Sequence, residues 1–285
     1  MDFPKLLLMP LGDGGDDAER LSAALLVAKA LNAHLQVMHT VLEPRSLLPK
    51  KMALPMGMLS DLDQAVTRHA DRNSERLLTL FKQLCTERDV AFTDSVATGE
   101  GGSASWFGVR GVRSALVAQY GKLADWIVLS RPPGGQATSS FEAALSETGR
   151  PVLIVPRRME SFALDTVVVA WNCSREAVRA VAVALPVLQR AKRVLLLTCR
   201  ANMRCEPQLD DLAGYLALHD VAAETRIIDS GSGNTGAVLN DAVKEESASM
   251  VVMGAYSSHR VRDLMFGDVT QYLLSSGKVP MLMTR

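Results

Sequence analysis

The sequence lacks a net charge, because its 31 basic residues are balanced by 31 acidic ones. Proteins that bind nucleic acid usually carry an excess of positive charge, so this balance argues against a nucleic-acid partner. No apolar run approaches the ~20 residues that a membrane-spanning helix needs. The first apolar run is too short for a signal peptide, and acidic residues follow it at once. We therefore expect a cytoplasmic protein that contacts neither membrane nor nucleic acid.

Cysteine is scarce, and the sequence contains no CxxC pair of the kind found in metal and redox sites. The four cysteines are Cys85, Cys173, Cys199 and Cys205. Cytosolic cysteines are normally reduced, so we expect mostly buried thiols. Cys199 and Cys205 could instead face each other across a loop, which the sequence leaves open.

Familiar catalytic and metal-binding motifs are also missing. The five histidines show no metal-ligand spacing, and neither a GxxxxGK[ST] loop nor a GxSxG nucleophile elbow occurs. Gly231, Gly233 and Gly236 spell GxGxxG, but they follow the third strand of a predicted unit, and the next strand carries no acid for a ribose. We interpret them as a flexible turn in which Asn234 or Thr235 caps a helix. The sequence therefore predicts a non-enzymatic protein without catalytic residues or a metal site.

What the sequence does contain is an internal repeat. Residues 124–157 and 248–285 share an apolar run, a Gly/Pro/Ser loop, a short helical pattern, a Gly-Arg or Gly-Lys stop and a Pro-led apolar run. Two similar halves predict two similar domains, and the chain is long enough for two domains of roughly 150 residues. We place the domains at residues 1–158 and 163–285, with a short linker between them.

Strands and helices alternate along both halves. Short apolar runs predict buried parallel strands, and amphipathic stretches between them predict helices. This alternation predicts an α/β fold with two tandem, doubly wound, parallel five-stranded sheets. The predicted strands are 6–11, 35–41, 90–97, 125–130 and 151–155 in the first half, and 167–172, 194–199, 222–229, 249–254 and 280–284 in the second.

The helices have their own local signals. Asp16 or Asp17 is expected to cap the first helix of the first half, and Ser174 that of the second. The second-half helix should present a stripe of Val178, Val181, Leu185 and Leu188 and bend or end near Pro186. Further predicted helices cover about 60–88, 108–122, 207–219 and 235–246. The irregular insert at 43–60 is expected to be a flap, a contact surface or a plain disordered loop.

Two stretches of the second half carry a family resemblance: VVVAWNCSREAVRAVAVALPVL and MGAYSSHRVRDLMFGDVT. They resemble the first strand and helix, and the nucleotide loop, of the universal stress protein family. That loop reads Gly, two residues, Gly, nine residues, Gly, then Ser or Thr. Gly254 and Gly267 match the first and third glycines, whereas Ser257 replaces the second and Asp268 replaces the Ser or Thr. The resemblance implies a tandem member with an adenine nucleotide alpha hydrolase-like fold, its halves packed as a pseudo-dimer.

The resemblance also implies where an adenine nucleotide would bind. By position, Ala170, Asn172 and Cys199 would surround the base and ribose. An asparagine can still form hydrogen bonds with a ribose hydroxyl or a base edge, so the site would be weakened without being abolished. Leu11 or Gly12, together with Thr40, takes these places in the first half.

The chemistry of the loop residues also indicates a phosphate site. Gly254 would let the backbone approach a ligand, and Gly267 opens a helix whose first amides can bind phosphate. Arg260 could add donors. Asp268 would weaken phosphate binding, because its carboxylate can accept hydrogen bonds from the same amides. Two unit charges about 4 Å apart repel by roughly 1 kcal/mol in water and about 4 kcal/mol near a protein surface. A helix N-terminus stabilises an anion by only about 0.3–1 kcal/mol, at most about 2.

These arguments define the candidate site and its function. The candidate binding residues are Ala170, Asn172, Cys199, Gly254, Ser257, Arg260, Gly267, Asp268, Val269 and Thr270. We expect a stress-response protein that binds ATP, AMP or adenosine weakly in its second half. The alternative is an interaction scaffold that has lost nucleotide binding, and a slow ATPase has the least support.

The first half differs in its loop. Residues 130–141 lack the glycine pattern and carry two prolines, so the resemblance implies that this half has lost its nucleotide site. The family also implies that the halves pair through their fifth strands, residues 151–155 (from Pro151 to Val155) and 280–284 (from Pro280 to Thr284). An exposed apolar edge strand needs such cover. Association of two chains into a homodimer is left open.

Overall fold

An eleven-stranded sheet between two layers of helices forms the body of the protein. The computed structural model describes residues 3–12, 15–41, 56–97, 100–200, 205–229, 231, 233–255 and 268–285. At 56–66, 69, 133 and 268 only the backbone is described. The part of the insert before Met56 lies outside these ranges. None of the helices in the described ranges combines the length and the apolar character of a membrane span.

The two halves contain corresponding elements. The first half has β1 (Leu6–Leu11), α1 (Asp17–Leu31), β2 (His34–Val41), α2 (Met56–Arg88), β3 (Ala91–Phe92), β4 (Ser103–Arg110), α3 (Arg113–Tyr120), β5 (Trp126–Ser130), α4 (Ser139–Glu147) and β6 (Val152–Val155). The second has β7 (Thr166–Ala170), α5 (Arg175–Arg190), β8 (Arg193–Cys199), α6 (Leu209–Ala217), β9 (Ala223–Ile228), α7 (Thr235–Glu245), β10 (Met250–Gly254), α8 (Asp268–Ser276) and β11 (Met281–Thr284).

The strand order is β3-β4-β2-β1-β5-β6-β11-β10-β7-β8-β9. All neighbours are parallel except β6 and β11, which pair antiparallel with Met281 opposite Ile154 and Met283 opposite Val152. Without the two-residue β3, each strand of one half has its counterpart at the same distance from this central pair. The α/β fold is therefore as predicted, but the sheets are continuous with each other, and the first half has a sixth, short strand.

Two apolar clusters fill the space on either side of the sheet. Strand residues alternate between them: Leu7, Met9 and Leu11 belong to one cluster and Leu8 to the other. The first cluster also contains residues of α1, α2, α5 and α6, and the second contains residues of α3, α4, α7 and α8. Each helix thus covers one face of the sheet, which leaves the carboxyl ends of the strands accessible from the loops.

One stretch of the first half was predicted wrongly. Only Ala91–Phe92 of the expected strand at 90–97 forms, and Ser103–Arg110 is a strand where the sequence predicted a helix from about 108. The reason is tertiary, because β4 pairs along its whole length with β2, from Ser103 opposite His34 to Arg110 opposite Val41. Local periodicity contains no information about that partner.

The second-half helix excludes one of the two outcomes expected at Pro186 and corrects the predicted buried stripe. It runs from Arg175 to Arg190 without ending at Pro186, which is itself buried. Burial of this segment against the sheet outweighs the loss of one backbone hydrogen bond at the proline. Val178 is 49 % exposed and so does not belong to the buried stripe.

Helix caps were predicted with mixed success. The Ser174 hydroxyl accepts a hydrogen bond from the Ala177 N–H at 3.1 Å, as expected of an N-cap. Asp16 does precede α1, but it has φ 53° and its side chain makes no capping bond. Its carboxylate lies 2.5 Å from Arg157 Nη1 instead. A charged partner from a distant segment has therefore replaced the local cap.

Candidate functional site

The predicted second-half site lies where β7 and β10 end. Ala170, the last residue of β7, is opposite Met253 of β10. The chain leaves β7 through α5 on one face of the sheet, but reaches β10 through α7 on the other face. Ligands of open α/β sheets bind at the carboxyl ends of strands where the connections diverge in this way.

The turn after β7 is held by a short chain of hydrogen bonds. Asn172 Oδ1 accepts hydrogen bonds from the Ser174 N–H at 3.2 Å and the Ser174 hydroxyl at 2.7 Å. Since Ser174 in turn caps α5, the asparagine oxygen supports the entry of the chain into the helix. A ribose hydroxyl that approached this oxygen would compete with Ser174.

Gly254 has a packing role in addition to the predicted one. A Cβ at this position would lie 2.5 Å from the Ala177 N and 2.7 Å from the Glu176 carbonyl carbon. The end of β10 thus packs directly against the first turn of α5. Thr284 Oγ1 donates to the Glu176 O at 2.8 Å and holds the same turn from β11. In the structure, the missing side chain of Gly254 serves helix–strand packing.

The remaining predicted residues divide into two groups. Cys199 ends β8 and is buried in an apolar cluster against which Ala170 and Val269 also pack, and Thr270 is buried in the first turn of α8. Cys199, Ala170 and Val269 therefore lie on the same face of the sheet. Ser257, Arg260, Gly267 and the side chain of Asp268 lie outside the described part of the chain.

The GxGxxG stretch has a structural role. Asn234 Oδ1 accepts a hydrogen bond from the Ala237 N–H at 3.1 Å, which is one of the two predicted caps. A Cβ on Gly236 would lie 2.7 Å from Tyr272 Cβ and 3.1 Å from Val269 Cα. This glycine therefore allows α7 and α8 to pack closely.

A disulfide beside the site corrects the expectation of reduced cysteines. Cys173, directly after Asn172, is bonded to Cys205, whereas Cys85 and Cys199 are buried free thiols. The suggested pairing of Cys199 with Cys205 is wrong, because Cys205 is bonded to Cys173 and Cys199, at the end of β8, is a free thiol. Cys173 follows the carboxyl end of β7 and Cys205 follows that of β8, and these two strands are neighbours in the sheet. Disulfides are rare in the cytosol, so the bond does not support the cytoplasmic location, which stays a prediction.

Thiol counting tests the disulfide. Protein purified without reductant and then unfolded should present two reactive thiols, and four after reduction. In the folded protein Cys85 should not react, because the thiolate is the nucleophile and burial raises the pKa of Cys85 to about 12. Cys173→Ser should give three thiols before reduction. Four thiols in the unreduced wild type would contradict the pairing.

The first-half loop at 130–141 contacts the second half. Arg131 Nη1 donates to the carbonyls of Leu273 and Leu274, the latter at 3.1 Å, and Nη2 donates to the Val279 O at 3.1 Å. Leu273 and Leu274 belong to the last turn of α8, where carbonyls lack helical partners. Burial lowers the pKa of the Arg131 guanidinium to about 10. No local sequence pattern indicates the role of Arg131, since its partners are more than 140 positions away.

Gly135 extends the same contact. The Gln271 side chain donates to the Gly135 O at 3.0 Å, and a Cβ on Gly135 would overlap Ser275 of α8. The loop that lacks the family's glycine pattern is therefore an interdomain contact.

The sequence profile of the universal stress protein family matches residues 163–285. These residues form a universal stress protein domain. The whole chain also has the fold of a universal stress protein from Archaeoglobus fulgidus, with a TM-score of 0.70, 14% identity and 98% coverage of both chains. A protein of unknown function from Pseudomonas aeruginosa is similar as well, with a TM-score of 0.60, 13% identity and coverage of 98% of this chain and 92% of its own. None of the curated proteins matches significantly.

At 13–14% sequence identity, these structural similarities show a shared fold and nothing more. They extend the universal stress protein architecture over both halves, including the half that the family profile does not match. The family match supports a role in the stress response.

Proposed function

We propose that this stress-response protein binds an adenine nucleotide weakly in its universal stress protein domain and does not turn it over. The observation that carries the proposal is the switch point itself, where Ala170, the Asn172 turn and the end of β10 meet. The apolar residues around Cys199 offer a surface for a base, and the polar turn offers partners for a ribose.

Asn172 explains why binding to the nucleoside should be weak. An amide side chain has one oxygen, and here that oxygen already accepts two hydrogen bonds from Ser174. A carboxylate would have a second oxygen for the ribose. A bound nucleoside must therefore share or displace the contact that supports the start of α5.

Asp268 should weaken the binding of phosphates in particular. It is the first residue of α8, at the helix end where a phosphate would seek unpaired amides. Near a protein surface, repulsion between two unit charges about 4 Å apart is about 4 kcal/mol, which exceeds the roughly 0.3–2 kcal/mol that the helix end contributes. Adenosine and AMP should therefore bind more tightly than ATP.

Calorimetric titration with adenosine, AMP and ATP tests this proposal. We expect measurable binding in that order of affinity, no release of phosphate from ATP, and an increase in ATP affinity of about tenfold or more in Asp268→Ser, which corresponds to roughly 1.4 kcal/mol. Adenosine affinity should not change in that variant. Asp241→Ser, which removes an exposed carboxylate paired with Lys244, is the matched control for charge.

Two results would count against the proposal. If none of the three ligands binds, nucleotide binding is excluded and the interaction scaffold becomes the better explanation. If Asp268→Ser and Asp241→Ser change ATP affinity equally, the effect is one of overall charge and the role assigned to Asp268 is wrong.

A further inference from the structure

A cleft of about 400 Å³ lies in the first half, at the carboxyl ends of β1 and β5. This is the switch point of the first sheet, because β1 pairs with β2 on one side and with β5 on the other. Small-molecule sites usually have volumes of ~300–1,000 Å³. The first half therefore keeps a ligand-sized cleft, although its loop lacks the family's glycine pattern.

Three arginines line the cleft: Arg20 from α1, Arg113 at the start of α3, and Arg157 after β6. No carboxylate occurs among its described lining residues. Burial lowers the pKa of the Arg20 guanidinium, and the charges of Arg113 and Arg157 lower it further, although Asp17 acts in the opposite direction. Positive charges that lie close together with little exposure to water repel one another, which is unfavourable unless another group offsets the repulsion. Clusters of this kind are typical of functional sites.

Two carboxylates lie beside two of these arginines. Asp17 Oδ1 lies 3.4 Å from Arg20 Nη1, and Asp16 Oδ2 lies 2.5 Å from Arg157 Nη1. Asp17 Oδ2 also lies 3.3 Å from Arg76 Nη2. Neither carboxylate is among the described residues that line the cleft, whereas all three guanidinium groups are, so the lining itself suits an anion.

Arg113 determines what kind of anion fits. A Cβ on Gly12 would overlap its guanidinium, and its Nε donates to Thr40 Oγ1 at 2.9 Å. Gly12 and Thr40 correspond in position to Asn172 and Cys199 of the second half. The Arg113 guanidinium thus occupies the space that corresponds to the expected base and ribose positions of the second half. A ligand of the first-half cleft should therefore carry no nucleoside.

The other wall of the cleft is the start of α4. Thr138, Ser139 and Ser140 line it, and Thr138 caps the helix by accepting a hydrogen bond from the Phe141 N–H at 3.3 Å. The Ser130 hydroxyl also belongs to the lining and has no hydrogen-bond partner among the described residues. Helix amides, hydroxyls and guanidinium groups together are the donors that recognise phosphate oxygens.

The second half has no equivalent of this arrangement at the two matching helix positions. The fourth residue of α5 is Val178, where α1 has Arg20, and α7 begins at Thr235, where α3 begins at Arg113. The two switch points therefore differ in charge as well as in shape.

We propose that the first-half cleft binds a small, multiply charged phosphate compound that carries no nucleoside. Its oxygens lie against the start of α4, and Arg20, Arg113 and Arg157 neutralise its charge. This site is separate from the nucleotide site proposed for the second half, so the two proposals can be tested independently.

Pyrophosphate is the probe, because it has the charge of such a ligand and no base. Calorimetric titration of the full chain at low ionic strength should show saturable binding, and Arg113→Gln should weaken it about tenfold or more. Ser139→Glu should weaken it equally while preserving the fold, because an acidic residue suits the first turn of a helix but repels phosphate. Arg179→Gln removes an exposed charge from the second half and should leave the affinity unchanged.

Absence of pyrophosphate binding at millimolar concentration would overturn the proposal, and so would binding that neither first-half variant weakens. The second outcome would place the anion elsewhere. Adenosine titration of the Arg113→Gln protein should match the wild type, since adenosine carries no phosphate and reports on the second half. The two proposals are thereby distinguished.

Discussion

Replacing Arg131 with methionine should lower the free energy of unfolding by about 3 kcal/mol or more. Three hydrogen bonds to carbonyls near the end of α8 are lost, and each bond from a charged donor contributes about 1.5–3 kcal/mol. The guanidinium also complements the partial negative charge at the helix C-terminus. Its own burial costs part of this gain, as the lowered pKa of Arg131 shows.

Urea unfolding followed by circular dichroism measures this loss. The matched control is Arg150→Met, because Arg150 also donates to a backbone carbonyl, that of Lys122 at 3.0 Å, but is exposed. That change should cost less than about 0.5 kcal/mol. Equal losses for the two variants would show that Arg131 does not join the halves.

Alanine at Gly135 should lower the free energy of unfolding by about 2–4 kcal/mol, whereas alanine at Gly134 should cost only about 1. The two neighbouring glycines have similar left-handed backbones, with φ +70° and +66°, so the strain on an alanine is nearly the same at both. Only the Cβ at Gly135 would meet α8, at Ser275, whereas nothing lies within 4 Å of a Cβ at Gly134.

The difference between the two variants isolates the interdomain contact from backbone strain. It is measured by urea unfolding under identical conditions, with the change in the slope m reported for each variant. A Gly134→Ala protein as unstable as Gly135→Ala would mean that strain alone explains both. The loop would then have no special role in docking α8.

Features that depend on neighbouring residues were predicted best from the sequence. Ser174 and Asn234 cap their helices because both partners of each cap lie within three residues. The apolar runs of β1 and β8 form strands as predicted, and every residue of each strand except the first is buried. Local pattern and fold agree at these positions.

Features that depend on distant segments were missed or misread. The strand β4 forms because β2 lies beside it, and Arg131 is positioned by a helix of the other half. Gly254 was predicted to let the backbone approach a ligand, which stays a prediction, and its packing against the start of α5 was not foreseen. The first-half cleft brings Arg20, Arg113 and Arg157 together from three distant segments, which no spacing in the sequence indicates.

A crystal structure of the full chain grown with AMP tests the central claim most directly. We predict one AMP per chain, with its adenosine beside Ala170 and Asn172 at the ends of β7 and β10. The first-half cleft should hold no nucleoside, because the Arg113 guanidinium fills that space. An adenosine bound over Gly12 with Arg113 displaced, or a fully loaded crystal with AMP at neither switch point, would contradict the account.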